Sequence, residues 1–165
     1  RFLFEVVEAI SREIGAGRTA IRISPVTPAN DAFDPHPQPL FTHVVEGLAK
    51  YDLAYVHIIE GATGGARDHQ QGDTPFDYQA LRAAYHAAGG KAAWMVNNGY
   101  DRELAIAAVE QGKAYLVAFF NLFISNPDLV ERLKNDTVLN ALDTGTFYGG
   151  GAKGYTDYPA LENVA

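Results

Sequence analysis

Several positions in this 165-residue sequence carry residue types that could do chemistry. Arg22 sits in Ile21-Arg22-Ile23-Ser24-Pro25, a short apolar run closed by a proline. Alternation puts its side chain on the face opposite Ile21 and Ile23. An arginine inside a strand needs an anionic or acceptor partner, because a buried unpaired charge is costly. That partner is either the electron-rich edge of a cofactor or a structural carboxylate such as Glu60. His57 and Glu60, in His57-Ile58-Ile59-Glu60-Gly61, raise the possibility of a metal or acid–base pair. Three residues apart on a strand, they face opposite ways, and a metal would want a third ligand. A satisfied core histidine and an ion pair at the strand end account for them better, so no metal is expected. Asn97-Asn98-Gly99-Tyr100 reads either as a simple turn or as a place where backbone comes close to a phosphate, with Gly99 permitting the approach.

The elements that position these residues alternate. A helix covers RFLFEVVEAISREIG, with Phe2, Val6, Ala9 and Ile10 on one face at helical spacing. No methionine or cap precedes it, so a fragment or processed chain is expected. A strand at Thr19–Ile23 and a loop with four prolines follow. Then come a helix from about Pro39 to Lys50, a strand over Leu53–Ile59, a polar loop from Gly61 to Pro75, a helix over Asp77–Ala88 and a strand over Ala92–Val96. A helix over Asp101–Gln111, a strand over Ala114–Ala118, and a last helix from about Asn126 to Lys134 complete the pattern before a turn-rich tail. Short strands without strict alternation suggest a parallel sheet buried on both faces. A (β/α)8 barrel needs eight strands and about 250 residues. Four βα units plus a coil-rich tail are thus the C-terminal half of such a barrel or an open four-stranded α/β sheet. We expect a single domain over 1–165, with the βα units in 1–136 and the tail in 137–165.

Bulk properties exclude several function classes. The net charge of −7 and the absence of a Lys/Arg cluster argue against nucleic acid and anionic membrane surfaces. No apolar run of about 18 residues is present, and no signal peptide is legible. With no cysteine, disulfide and thiolate chemistry are excluded. A cytoplasmic location is expected.

The segments IRISP, VHIIEG, WMVNNGYD, FISNPDLVERL and TFYGGGAKGYTDYP, in this order, resemble the last four βα units and tail of the old yellow enzyme family. The resemblance covers essentially the whole chain. It implies a (β/α)8 barrel with FMN at the C-terminal mouth, reduced by NAD(P)H, which then passes hydride to the β-carbon of an activated alkene such as an enone, nitroalkene or maleimide. By the same resemblance, Arg22 matches the arginine facing the flavin N1/O2 region, and Asn98 and Gly99 match a phosphate-binding turn. Phe147 and Tyr148 match the aromatic pair at the flavin rim and substrate mouth. The family's proton-donor tyrosine, its substrate-binding His/Asn pair and its flavin-pyrimidine glutamine belong to a half not present in this sequence, so no catalytic acid is assigned.

One departure bears on the cofactor. Where the family has Ala-Phe-Gly-Arg or Lys after the eighth strand, this sequence has Ala118-Phe119-Phe120-Asn121. Phenylalanine blocks close backbone approach, and asparagine removes the cation that grips the FMN phosphate. Weakened or lost FMN binding is expected. Two functions follow: the C-terminal part of an ene-reductase acting beside an N-terminal half-barrel chain, or a half-barrel, isolated or engineered, that pairs with a second copy of itself and has lost flavin binding. An open α/β binding module is a third.

Overall fold

The computed structural model describes residues 1–29, 32, 34–70 and 74–161. The parts of the proline-rich and polar loops at 30, 31, 33 and 71–73, and the tail end at 162–165, lie outside the described residues. The chain divides into two compact units, Arg1–Ala118 and Phe119–Ala165.

The first unit opens with α1 (Phe2–Ile14) and a single 3-10 turn at Ala16–Arg18. There follow β1 (Ala20–Ile23), α2 (Pro37–Leu48), β2 (Tyr55–Ile59), α3 (Tyr78–Ala87), β3 (Ala93–Asn97), α4 (Arg102–Glu110) and β4 (Leu116–Ala118). The helix starts follow from local chemistry. Pro37 occupies the first turn of α2, where its missing N–H is no loss. Asp77 caps α3 by accepting from the amides of Gln79 and Ala80 at 2.9 and 2.8 Å, and Asp101 caps α4 by accepting from that of Leu104 at 2.8 Å. The strands are shorter than the apolar runs suggest. Thr19 turns its hydroxyl back to the Gly15 carbonyl, and the Ala114 amide is spent on the Ala108 carbonyl at the end of α4.

All four strands are parallel and lie in the order β1-β2-β3-β4. A doubly wound sheet would reverse its strand order at a switch point. Sequential order is that of successive βα units in one half of a (β/α)8 barrel. Burial shows which face the helices cover: Val56, Ile58, Trp94 and Val96 are all at most 3 % exposed. Tyr85 of α3 reaches this layer, its ring 5.6 Å from Trp94 and its hydroxyl accepting from the Ala92 amide. The opposite face carries Arg22, His57 and Met95 in one register row with Leu116. Arg22 and Leu116 are exposed and the other two half-buried. Burial on both faces, expected from the sequence, is therefore met on one face only. In a barrel the second face is covered by the strands across the lumen, and four strands do not supply them.

The opening helix differs from expectation in its buried side. Val7 is buried, and Phe4 lies edge-on to His43 and close over Gly47 of α2, where any Cβ would strike its ring. Phe2, Val6 and Ile10, read as the core face, are exposed together with Ile14.

The second unit holds α5 (Asn121–Ser125), α6 (Leu129–Asn135) and a 3-10 turn at Thr144–Thr146. Helix α5 is not expected from the sequence, where the fourth strand ends at Ala118 and the next helix starts near Asn126. Helix α6 starts at Leu129 rather than Asn126, because Asn126 is extended ahead of Pro127, the conformation a following proline favours.

Candidate functional site

At the carboxyl end of β1, Arg22 projects from the open face of the sheet and makes no ion pair with a described residue. The structural partner considered for it, Glu60, is taken by another arginine. Beside Arg22 in register stands His57. Its Nε2 is buried and has no hydrogen-bond partner among the described residues, so the satisfied core histidine expected from the sequence is not what forms. Burial, and then the neighbouring Arg22 cation, push the His57 pKa down to about 4. The imidazole is neutral at physiological pH, and Arg22 carries the only charge of the row it shares with His57, Met95 and Leu116.

This arrangement has a consequence for stability. The unfolded chain binds a proton at His57 near the ordinary value of about 6.5, whereas the folded chain binds it only near 4. Between these values the unfolded state holds more protons, so stability is full above about 6.5 and falls as pH drops toward 4. Urea melts of the chain and of His57→Gln across pH 4–7 should show the steeper acid loss in the unsubstituted chain. Parallel profiles would disprove it.

The loop after β2 and the turn after β3 are tied together around Glu60, whose side chain is 8 % exposed. Arg67 donates to its carboxylate from Nε at 2.8 Å, with Nη2 also at 2.8 Å. Tyr100 donates to the same oxygen at 2.9 Å and accepts from Arg67 Nη2 at 3.2 Å, while the guanidinium lies 4.6 Å from the Tyr100 ring centre. Burial and the Glu60 carboxylate raise the Tyr100 pKa strongly, so the phenol keeps its proton. Asn98 Nδ2 donates to the carbonyls of Glu60 and Ala62 at 2.6 and 3.0 Å. Gly61 donates its amide to the Tyr78 hydroxyl at 2.7 Å. Asn98 and Gly99 both adopt left-handed backbone, with φ of 95° and 66°. Their amides donate to no described residue. Arg67 and Tyr78 gave no sequence signal: an arginine in a glycine-rich loop and the first residue of a helix stand alone until the fold brings Glu60 between them.

In the second unit, Phe120 is 53 % exposed and its ring meets Phe147 at 6.5 Å, edge to face; Phe147 meets Tyr148 in the same way at 6.4 Å. Tyr148 is 86 % exposed. Asn121, the first residue of α5, is exposed and contributes no charge. The segment Ser125-Asn126-Pro127-Asp128 holds the tail. Asn126 is fully buried; it donates to the Leu122 carbonyl at 2.9 Å and accepts from the Asn140 amide at 2.8 Å. Arg132, 3 % exposed, donates to Asp128 at 2.6 Å, to the Val138 carbonyl at 2.5 Å and to the Pro159 carbonyl at 3.0 Å. The Arg132 bond, and then the Leu161 amide, hold the Asp128 carboxyl below its usual range.

Residues 1–140 match the profile of the NADH:flavin oxidoreductase / NADH oxidase family. The chain belongs to that family, the old yellow enzymes. It is 41% identical over 170 residues to 12-oxophytodienoate reductase 7 and 39% identical over 169 residues to 12-oxophytodienoate reductase 1, both of Oryza sativa subsp. japonica. Those alignments take in 98% and 99% of this chain but 43% and 42% of the relatives. Among solved structures it is similar to morphinone reductase, with a TM-score of 0.84 and 34% identity over 99% of this chain and 41% of that one. A structure of morphinone reductase in complex with tetrahydroNAD is similar at a TM-score of 0.83 and 33% identity, over 99% of this chain and 41% of that one. The chain spans about two-fifths of the length of these relatives, and its architecture is half of their (β/α)8 barrel.

The residues fit the family's flavin in part. An unpartnered cation at a strand end suits an electron-rich ring edge, and two successive left-handed residues with unused amides suit a phosphate. In the second unit, Phe120 and Asn121 carry no charge. No described helix is long and apolar enough to cross a membrane.

Proposed function

We propose that this chain is the flavin-holding C-terminal half of an NAD(P)H-dependent ene-reductase that reduces activated C=C bonds of enones, nitroalkenes or maleimides. Arg22 supports this reading most: it is an exposed cation at a strand end, without an ion-pair partner among the described residues, and is therefore available to an anionic or electron-rich group placed over the open face of the sheet. When bound, FMN supplies the hydride chemistry. Arg22 would lie against the ring edge where negative charge gathers on reduction. Asn98 and Gly99 would receive the phosphate, Phe147 would border the ring, and Tyr148 would border the substrate. The proton donor and the oxygen-binding pair would come from an N-terminal half-barrel.

A second reading has its own support. Phe120 and Asn121 weaken the phosphate grip, and β1 and β4 each pair on one side only among the described strands. Two copies could join at those edges.

One experiment separates the two. The purified chain is titrated with FMN by fluorescence quenching, and its mass in solution is measured on the same sample. Saturable binding, weakened about tenfold in Arg22→Gln as expected for a hydrogen bond to a charged group, supports the flavin half. A colourless dimer that leaves FMN fluorescence unchanged sinks it in favour of self-association.

A further inference from the structure

Arg67 has no role in the reading above. Its guanidinium is spent on Glu60 and Tyr100, so its charge is already compensated and it is not a free cation for a ligand. What it does touch is the turn after β3. A Cβ placed on Gly99 would lie 3.3 Å from the Cβ of Arg67, so the arginine stem is laid along the glycine. Asn98 is held in a left-handed conformation that few non-glycine residues adopt. Its side chain is tied to the carbonyls of Glu60 and Ala62, and the Glu60 amide donates back to the Asn97 carbonyl at 3.1 Å. Glu60 is thus bonded to the turn through its backbone and to Arg67 through its carboxylate. Tyr100 closes the circuit from the other end of the turn.

We infer that Arg67 is a positioning residue: through Glu60 and Tyr100 it fixes the Asn98–Gly99 turn in the left-handed form that leaves its two amides free for the phosphate of a flavin mononucleotide. This rests on the flavin reading above. It assigns phosphate selectivity to a loop arginine that never meets the phosphate. Without Arg67, the Glu60 carboxylate keeps the Tyr100 hydroxyl as its side-chain partner among the described residues, and the carbonyls that anchor Asn98 lose one of their restraints.

FMN and riboflavin share the ring and differ in the phosphate, so their ratio isolates the turn. The intact chain, Arg67→Met, Arg67→Lys and Tyr100→Phe are each titrated with both flavins. In Arg67→Met, which keeps the stem over Gly99, the FMN Kd is expected to rise about tenfold, the equivalent of one hydrogen bond to a charged group. The riboflavin Kd stays within about twofold. Arg67→Lys recovers part of the loss, and Tyr100→Phe, which removes a single oxygen and spares the fold, moves FMN in the same direction by less. Equal losses for both flavins would reduce the network to a stabilising role, and an unchanged FMN Kd in both Arg67→Met and Tyr100→Phe would also overturn the inference. If the unsubstituted chain binds the two flavins equally, the turn takes no phosphate and the inference fails while the flavin reading stands. If it binds neither, the flavin reading itself is lost, and this inference with it.

Discussion

Replacing Phe120 and Asn121 together by glycine and arginine should raise the affinity of this chain for FMN by about ten- to a hundredfold, with little change for riboflavin. The magnitude is that of a hydrogen bond to a charged group, about 1.5–3 kcal/mol. Arginine offers a phosphate a paired, permanently charged fork, and glycine lets the backbone approach where a phenyl group now stands. The substitutions are mild for folding. Phe120 has φ of −102° and ψ of −68°, a conformation open to any residue, and it is more than half exposed. The main loss is its edge contact with Phe147. Asn121 is exposed at the start of a short helix, where arginine is tolerated. Paired fluorescence titrations with FMN and riboflavin measure the effect. An FMN Kd that does not fall would mean that position 121 does not reach the phosphate, and the expectation carried over from the family would be wrong for this chain.

Asn126→Ala should destabilise the second unit by on the order of 3 kcal/mol, from two bonds to backbone groups lost at a fully buried site. Asn126 has no exposed surface, and its two amide atoms bridge the end of α5 to the tail. Alanine leaves the Asn140 amide and the Leu122 carbonyl without this partner and removes the bond to the Ser125 hydroxyl. The Asn140 side chain still donates to the carbonyls of Ser125 and Pro159 at 2.7 and 2.8 Å. Arg132 still clamps Val138 and Pro159. The loss should therefore appear as faster hydrogen exchange and proteolysis around residues 137–161, with the sheet of the first unit retaining its protection. Uniform loss of protection in both units, or none in the tail, would contradict this account.

Local order along the chain was legible because its signals are local. Asp77 and Asp101 cap their helices through bonds that reach only two or three residues. The alternation that sets Arg22 against Ile21 and Ile23 is a property of any extended strand. The family resemblance was likewise readable in short segments, and the half-barrel with it. The glycine and asparagine of the turn after β3 announced its unusual backbone, because few other residues tolerate positive φ.

Pairing between distant residues could not be read this way. The sequence offered Glu60 as a partner for Arg22, and only the fold decided that Arg67 takes its carboxylate instead. The strand holds Arg22 on the other face, and the loop after β2 folds back over the turn after β3. The orphaned Nε2 of His57 has the same origin: its neighbour in register is a cation, and no described group supplies a bond. Helix α1 shows a like limit. Periodicity finds an apolar stripe, but not whether a neighbour covers it, and Phe2, Val6 and Ile10 are exposed while Val7 is buried. The sequence by itself determined the alternating helices and strands of the first unit, their order and the residue types at the strand ends. Tertiary structure decided which charges meet and which remain free, because that depends on loop paths and on the sheet's two faces, and neither is encoded within the span of a helix or a strand.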